Sequence, residues 1–594
     1  MPKVQPTPLP VCPTNADALQ VQRMPATAVH RDGEPERARC SSSARLLLVV
    51  VLICYCLYAS AYIYRTSFVI DGKRCFCLFD DAMVSMRYAR NLASGYGLVW
   101  NPNGERVEGF TNPLWTLFMA LFHLFPFPQF LISLPIQISG AALILATLFY
   151  VSRMARTLSG GCEFASVFAV ALTAFYLPLI TWSLQGMEVS VLALLVTAAT
   201  YHILKSRQRR EFSWTPYALL GIAVLVRMDA CVMLVTIALV GIVSDREQRA
   251  RHALWAIAVA ILALGSQTAF RLIYYGDFLP NTYYLKMTGY PDGLRMLRGL
   301  LHFMRFAEGL PYWLLVLALF PPAWRRDRSR MLLAALFGAQ CAYSIYVGGD
   351  AWEGRGGSNR YISIVMPLFF ILVAAGMADL VAWAAAQFGA RRRRGAAAVR
   401  GLGVVLACAC LAASNSFSPT SLRELLMLQP PQNQQDNALN VRIAQRLRSL
   451  TTGQALIALS WAGAIPYFSG RRSHDLLGKC DRRIAREQAH VIASWTLVRA
   501  FVPGHWKSDF NYSILQLKPD IVLRDVSRGA VQKAAFLKHY QSFSLGTEES
   551  YAKLGSPNVR WNVIQQLNAI ERRRRLEDFK RRLGSAGPTL AKKR

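Results

Sequence analysis

The sequence predicts a multi-span α-helical membrane protein of about eleven spans, followed by a C-terminal soluble α/β domain. Of its 594 residues, 53% are hydrophobic and 17% are charged, a balance that is typical of membrane proteins. Several apolar runs reach about 20 residues, the length that crosses a bilayer as a helix. After about residue 418 the hydropathy falls and short β-like runs alternate with helical patterns, which predicts a separate folded domain.

Changes in composition divide the chain into three parts. Residues 1–44 are rich in Pro, Arg and Ser and have no apolar periodicity, so they are predicted to form a disordered cytoplasmic tail. Residues 45–418 form the membrane domain, whose first span ends near Tyr64 and lies too far along the chain for a signal peptide. Residues 419–594 form the C-terminal domain, with β-like runs at 455–460 and 520–525 and a basic tail.

Ten further apolar runs complete the predicted spans. They lie at 129–152, 163–182, 188–204, 214–226, 229–243, 253–275, 309–323, 331–347, 361–387 and 399–417. The runs 214–226 and 229–243 each cover only about 20 Å at the helical rise, so they could form a hairpin that does not fully cross. The run 113–126 is also short and is predicted to be re-entrant or interfacial.

The net charge of +32 is carried largely by Lys and Arg blocks between apolar runs. No nucleic-acid motif accompanies them, so they favour contact with anionic membrane lipid over nucleic acid. Counting spans from a cytoplasmic N-terminus puts every basic connector inside, as the positive-inside rule requires. The alternate connectors, which include 65–128, 276–308 and 348–360, then lie outside together with everything after about 418. These outer connectors carry most of the acidic candidates, namely Asp80, Asp81, Glu105, Glu108, Asp277, Asp350 and Glu353.

Asp80 and Asp81 are the main catalytic candidates. They open LFDDAMVSMRYARNLASGYGLVWNPNGERVEGFTNPLW, the stretch Leu78–Trp115 in the outer loop 65–128. An acid at the bilayer edge suits general-base chemistry, because partial desolvation and a like-charged neighbour raise its pKa. The pair could instead hold a divalent cation, and either Asp could simply cap the helix that begins there.

Several other charged residues stand where an apolar run meets an outer connector. In VRMDA, Arg227 and Asp229 form either a structural ion pair or a phosphate-binding pair. Glu188 opens a span, where it either interacts with the helix dipole or binds a sugar. Lys286, in YYGDFLPNTYYLK, belongs either to an interfacial aromatic belt or to a phosphate site.

The acceptor side of the site is predicted from two outer segments. Asp350 lies in the Gly-rich loop VGGDAWEGRGGSNRY, which lacks the GK[ST] of a nucleotide-binding loop. His505 and Lys507 lie in the C-terminal domain and could line the site, although such residues are most often ordinary surface groups. The 12 cysteines mostly occupy apolar runs or the N-terminal tail, and they form neither a disulfide framework nor a zinc signature.

Taken together, FDDAMVSMRYARNLASGYGLVWNPNGERVEGFTNPLW, WSLQGMEVS, VRMDA, YYGDFLPNTYYLK, VGGD and DLLGKCD resemble motifs of the GT-C superfamily. They look most like the terminal arabinofuranosyltransferases of bacterial cell-wall arabinan. The resemblance implies a GT-C-like membrane domain, a polyprenyl-phosphate sugar donor and an extracytoplasmic glycan acceptor, with Asp80 or Asp81 as the base. The sequence departs from the family pattern at VRMDA, which stands in place of an RPD-like turn, and in the residues that follow VGGD.

A polyprenyl-phosphate donor also suggests roles for the remaining candidate residues. The phosphate leaving group of the donor needs Arg or Lys at the interface, for which Arg227, Lys286 and Arg360 are candidates. The other residues expected on the donor side are Arg87, Glu108, Glu188 and Asp229. Transfer of another polyprenyl-phosphate sugar to a lipid or to a pilin-like protein is an alternative. A transporter of lipid-linked sugars is a further alternative, although acids clustered at one face disfavour it.

Overall fold

The computed structural model describes residues 34–318, 327–353, 356–387, 405–489, 501–523, 538–545 and 548–570, together with Phe536, Arg573 and Glu577. The predicted tail therefore lies outside the described residues up to position 33, as do the basic blocks at 325–326 and 391–394 and most of the basic C-terminus. The first helix begins at Glu34, ten residues before Ala44, where the first span was predicted to begin. Glu, Arg and Ala are good helix formers, and their presence ahead of the apolar run favours this extension of the helix.

Helices dominate the part of the chain before residue 418. They are α1 (Glu34–Thr66), α2 (Asp80–Ala93), α3 (Pro113–His123), α4 (Ser133–Leu158), α5 (Glu163–Ala174), α6 (Leu177–Leu184), α7 (Val189–Arg209), α8 (Thr215–Val226), α9 (Cys231–Ser244), α10 (Arg249–Tyr275), α11 (Asn281–Met287), α12 (Asp292–Gly309), α13 (Tyr312–Ala318), α14 (Arg328–Tyr346), α15 (Arg360–Ser363), α16 (Met366–Gln387) and α17 (Val405–Ser414). A hairpin of β1 (Phe68–Ile70) and β2 (Lys73–Cys75) follows α1.

Five helices in the described part of the chain, α1, α4, α7, α10 and α16, are long and apolar enough to span a membrane. A sixth span results if α5 and α6, which meet at a bend of 54°, cross together. The helices α3, α8, α9 and α17 are apolar but shorter. A multi-span membrane protein is therefore confirmed, whereas the count of eleven spans is not.

The helix α16 lies at the centre of the membrane part. Its first twelve residues, Met366–Met377, are all buried, and it packs against α4, α5, α13 and α14. A helix that is apolar on every side is stable only when other helices or lipid surround it. At Gly376 an added Cβ would come within 1.7 Å of the carbonyl oxygen of Leu317, so the close approach of α16 and α13 requires glycine there.

The C-terminal domain is built on a five-stranded mixed sheet, as the sequence predicted for an α/β domain. Its elements are α18 (Ser421–Leu425), α19 (Gln432–Leu450), β3 (Leu456–Leu459), α20 (Ala464–Ser469), β4 (Arg472–Asp475), α21 (Arg482–Arg486), a π-helix (Asn511–Gln516), β5 (Ile521–Leu523), β6 (Tyr540–Leu545) and β7 (Glu548–Lys553). The strand order is β4-β3-β5-β7-β6, with β3 parallel to β4 and β5 and with β7 antiparallel to both of its neighbours. The predicted runs at 455–460 and 520–525 contain β3 and β5.

The C-terminal domain packs directly on the loop 65–128. The indole of Trp100 donates to the carbonyl of Ala462 at 3.1 Å, and Arg90 donates to the carbonyl of Tyr467 at 2.7 Å. The side-chain amide of Asn101 exchanges two hydrogen bonds with the backbone of Ser473. Because these contacts are extensive, the loop and the C-terminal domain must lie on the same side of the membrane.

Candidate active site

The carboxylate of Asp81 lies at the centre of a charged cluster. Its Oδ1 accepts a hydrogen bond from Nζ of Lys479 at 2.6 Å, and its Oδ2 lies 3.0 Å from Nη1 of Arg360. Asp350 accepts two further hydrogen bonds from the same guanidinium, at 2.8 and 2.7 Å. Lys286 interacts electrostatically with Asp81, Asp350 and Arg360. The Asp81 cluster is defined by these five residues together with His505, which interacts electrostatically with both lysines and with Asp81.

Five separate parts of the chain supply the Asp81 cluster. Asp81 lies in the first turn of α2, Lys286 lies in α11, and Asp350 and Arg360 flank a glycine-rich loop. Lys479 follows β4, and His505 lies ahead of the π-helix. The side-chain amide of Asn281, at the start of α11, donates to the carbonyls of Gly478 and Lys479, each at 3.0 Å. This contact holds the loop of Lys479 against α11, so the membrane part and the C-terminal domain complete the cluster together.

The charge state of the cluster follows from its ion pairs. Burial alone would raise the pKa of Asp81, but Lys479, Arg360 and Lys286 outweigh it and hold the pKa well below the ordinary value. Burial would lower the pKa of Lys479, and Asp81 reverses that effect and raises it. Burial, followed by repulsion from Arg360, lowers the pKa of Lys286 to about 8. Burial and the neighbouring lysines lower the pKa of His505 to about 4, so His505 is neutral at pH 7.

Asp80 faces a different partner from Asp81. Its carboxylate accepts hydrogen bonds from the backbone N–H groups of Ala464, at 2.8 Å, and Gly463, at 3.2 Å. It therefore caps α20 and not its own helix, where Phe79 is the N-cap residue without a side-chain bond. An added Cβ at Gly463 would lie 1.9 Å from the backbone oxygen of Asp80, so this contact requires glycine.

The pKa of Asp80 is raised where that of Asp81 is lowered. Asp80 is only 5% exposed, and its burial raises its pKa to about 6, against the opposing effect of the hydrogen bond from Ala464. A carboxyl group that loses its proton near pH 6 is poised for proton transfer at neutral pH. Desolvation and the like-charged Asp81 both raise the pKa of Asp80, as the sequence predicted for the pair, whereas the cations around Asp81 move the pKa of Asp81 in the opposite direction.

Glu188, Arg227 and Asp229 form a second network. The Nε of Arg227 lies 2.8 Å from both carboxylate oxygens of Asp229, and its Nη1 pairs with Glu188. The Arg227 guanidinium also lies 5.0 Å from the ring centre of Tyr361, the residue after Arg360. The structure thus contains the ion pair that the sequence offered as one alternative, and it places this pair beside the Asp81 cluster.

Three further predicted site residues, Glu108, Arg87 and Lys507, belong neither to the Asp81 cluster nor to the network of Glu188, Arg227 and Asp229. Glu108 pairs with Arg271 at 2.6 Å, and burial raises its pKa to about 7 against the effect of that arginine. Arg87 is 1% exposed and donates to Asn101 at 2.8 Å and to the carbonyl of Arg471 at 2.9 Å. Lys507 donates to the carbonyls of Tyr284 and Ala485. Arg87 and Lys507 therefore hold backbone segments together, because Nε and Nη2 of Arg87 and Nζ of Lys507 donate to carbonyl and amide oxygens.

Lys479 and Arg271 are the partners that sequence reasoning did not single out. Lys479 stands in DLLGKCD, one of the motifs that carry the resemblance, and Arg271 lies in an apolar helix next to YYGD. Within the described parts of the chain, no group of three or more His, Cys, Asp or Glu side chains could hold a metal ion. The carboxylate oxygens of Asp81 are instead paired with Lys479 and Arg360, an arrangement that does not fit the divalent cation considered above.

Comparison with solved structures identifies the fold. The chain is similar to ArnT from Cupriavidus metallidurans bound to undecaprenyl phosphate, with a TM-score of 0.51, 14% identity, and coverage of 86% of this chain and 98% of that chain. The apo state of the same protein gives a TM-score of 0.50 at the same identity and coverage. The fold is GT-C-like.

One further solved structure and one family model also match the chain. An oligosaccharyltransferase from Archaeoglobus fulgidus, tethered to an acceptor peptide, matches with a TM-score of 0.48 and 12% identity, over 87% of this chain and 74% of that chain. Residues 429–572 match a domain of unknown function, DUF8728, which covers the sheet of the C-terminal domain. No curated protein sequence matches the chain.

Proposed function

We propose that the chain is a membrane glycosyltransferase that moves a sugar from a polyprenyl-phosphate donor to a hydroxyl of an extracytoplasmic glycan. The observation that carries the proposal is the Asp81 cluster, in which three cations and two carboxylates meet where the outer loop, α11 and the C-terminal domain join. Its position in a GT-C-like fold supports a donor of this class, since one ArnT structure with that fold holds undecaprenyl phosphate.

The proposed reaction is a single displacement with inversion at the anomeric carbon. The acceptor oxygen attacks that carbon, its proton passes to the carboxylate of Asp80, and the bond between the carbon and the phosphate oxygen breaks with its electron pair on the phosphate. Lys286, Arg360 and Lys479 stabilise the negative charge that grows on the departing phosphate. Asp81 and Asp350 hold Arg360 and Lys479 in position, while the Glu188–Arg227–Asp229 network supports the donor sugar.

Arabinofuranose is the proposed sugar, and it rests on the motif resemblance alone. A donor carrying another polyprenyl-phosphate sugar, with a lipid or protein acceptor, is the alternative. We further propose that the protein lies in a bacterial inner membrane with the Asp81 cluster and the C-terminal domain on the extracytoplasmic side. The separation of acidic from basic connectors in the sequence supports this orientation.

The test is transfer by the purified protein in proteoliposomes. Radiolabelled decaprenyl-phospho-arabinofuranose is supplied with an arabinan fragment, and parallel reactions contain decaprenyl-phosphate donors of other sugars. We expect wild-type protein to release decaprenyl phosphate, and the Asp80→Asn variant to lose at least about 10²-fold in rate. Asp71→Asn is the matched control, because Asp71 is exposed in the hairpin β1–β2 and Asn accepts its positive φ of 49°. Failure of wild-type protein to consume any of the donors would refute the proposal.

A further inference from the structure

A cavity with both polar and aromatic lining lies beside the Asp81 cluster. It has a volume of 270 Å³ and is lined by residues of α6, of the glycine-rich loop before α15, and of the segment 417–433 that leads into the C-terminal domain. One wall is joined to the cluster: Oε1 of Glu353 accepts hydrogen bonds from the backbone N–H of Asp350, at 2.6 Å, and from Nδ2 of Asn359, at 3.0 Å. A molecule bound in this cavity would therefore lie next to the proposed reaction centre.

Aromatic side chains form the apolar side of the cavity. Trp182, Trp352 and Phe417 all line it. The ring of Phe79 packs edge-on against both tryptophans, with centroid separations of 5.4 and 4.8 Å. Phe79 immediately precedes Asp80, so the aromatic wall connects directly to the proposed base. Flat aromatic surfaces with a few fixed polar groups are typical of sites for small ligands.

Asn433 supplies the polar side. It lines the cavity in the first turn of α19 and is 4% exposed. Among the residues that the structure describes, neither its amide nitrogen nor its amide oxygen has a hydrogen-bond partner. A buried amide without partners is costly, and a ligand that carries both hydroxyl donors and acceptors would satisfy it.

The charges around the cavity narrow the ligand class. Glu353 and Glu424 line it, and within the described ranges no Lys, Arg or His does. The two carboxylates in the lining disfavour a phosphate or another anion as the ligand. A purely apolar chain would leave the Asn433 amide unpaired. A neutral sugar ring meets both conditions, because it has a hydroxyl edge and an apolar C–H face.

We propose that this cavity binds a neutral sugar ring of the acceptor, with its hydroxyls on the Asn433 amide and its C–H face on the tryptophan wall. The assignment rests on the proposed function, because it gives the acceptor of that reaction a place separate from the cations that hold the donor phosphate. It also differs from the sequence expectation, in which His505 and Lys507 lined the acceptor side.

The test compares two asparagines of the same helix. Asn433→Leu removes the amide from the cavity. Asn440→Leu is the matched control, since Asn440 is also 4% exposed in α19 and also has an unpartnered amide nitrogen within the described structure, but it does not line the cavity. Neither change removes a described hydrogen bond of the amide nitrogen, so we expect both proteins to keep the wild-type Tm or to exceed it.

Binding is measured by saturation-transfer NMR on the full chain in a detergent without a sugar headgroup. The probes are methyl α-D-mannopyranoside, methyl β-D-galactopyranoside and methyl α-D-arabinofuranoside, with glucose 6-phosphate as the anionic comparison. We expect at least one glycoside to bind wild-type protein and Asn440→Leu, with about tenfold weaker binding to Asn433→Leu. Equal binding to both variants, no binding of any glycoside, or preference for glucose 6-phosphate would overturn the assignment.

Hydrolysis of the donor in the absence of acceptor separates this inference from the proposed function. Asn433→Leu should release decaprenyl phosphate from the donor at the wild-type rate, because the donor does not occupy this cavity. A tenfold loss in that rate would assign the cavity to the donor and overturn the proposal. If wild-type protein consumed no donor while glycoside binding still depended on Asn433, the proposed function would fail and the sugar site would stand.

Discussion

Asp81 accepts a hydrogen bond of 2.6 Å from Lys479, a residue 398 positions away in the sequence. Asp81 belongs to the first helix of the loop 65–128, and Lys479 belongs to the C-terminal domain. The contact therefore joins the two parts of the molecule at the proposed reaction centre. An isolated membrane part would lack one of the three cations that we assign to the donor phosphate.

The first prediction concerns that lysine. Lys479→Met should lower kcat/KM for the donor by about 10²-fold, because one cation that stabilises the leaving phosphate is removed. Steady-state release of decaprenyl phosphate measures the effect. Lys538→Met is the matched control, since Lys538 lies in a turn of the same domain outside the cluster. A Lys479→Met enzyme with wild-type kcat/KM would remove this residue from the donor site.

The second prediction concerns the pH dependence of kcat/KM. Asp80, with a pKa of about 6, must be ionised to accept a proton, so activity should rise as the pH increases through about 6. Lys286, with a pKa of about 8, must be protonated to hold the phosphate, so activity should fall as the pH increases through about 8. Asp81 stays ionised across this range because its pKa is lowered. It should therefore contribute neither the rise nor the fall in the pH profile of kcat/KM.

Lys286→Arg tests the alkaline limb of that profile. Guanidinium remains charged well above pH 8, so the limb near 8 should disappear while the acid limb near 6 stays. Initial rates between pH 5 and pH 10 give both limbs. An alkaline limb that is unchanged in Lys286→Arg would assign it to another group.

The third prediction separates the two aspartates. Asp80→Asn should lower kcat and leave the donor KM near the wild-type value, because it removes the proton acceptor. Asp81→Asn should mainly raise the donor KM, because Lys479 and Arg360 lose the carboxylate that positions them. Full kinetic analysis of both variants distinguishes the effects. The reverse pattern would assign the base to Asp81.

The fourth prediction concerns Arg87, which the sequence suggested as a donor ligand. Arg87→Met should destabilise the protein by about 3 kcal/mol, because it leaves buried carbonyl and amide oxygens at the junction of the loop and the C-terminal domain without their donor. Thermal unfolding in detergent measures the change, with Arg472→Met, on the exposed side of β4, as the control. If Arg87→Met had a normal Tm and a raised donor KM, the prediction would be wrong and Arg87 would be a donor ligand.

The fifth prediction concerns membrane orientation. Cysteines introduced at Tyr96, which is 50% exposed in the outer loop, and at Glu211, in the connector after α7, should react differently with a membrane-impermeant maleimide. In intact spheroplasts we expect labelling above the wild-type level at position 96 and none at position 211 until the membrane is permeabilised. Labelling in the opposite order would put the Asp81 cluster on the cytoplasmic side.

Much of the architecture could be predicted from local patterns in the sequence. Apolar runs located the long helices α1, α4, α7, α10 and α16, because the bilayer imposes a minimum length on a span. The number of spans could not be obtained in this way, because α5 and α6 divide one apolar run at a bend and several apolar helices are short. Burial against other helices and burial in lipid leave the same apolar signature in a sequence.

In the candidate site, too, the sequence predicted the residue types and not their contacts. The sequence by itself determined which residue types collect on one set of connectors: the paired Asp80 and Asp81, the basic Lys286 and Arg360, and the acidic Asp350. Only the tertiary structure decided which of them touch, that Lys479 joins them, and that Arg87 and Lys507 hold backbone carbonyls instead. The physical reason is that a charge buried far from water must find its partner through the folded chain, and the distance along the sequence carries no information about that partner.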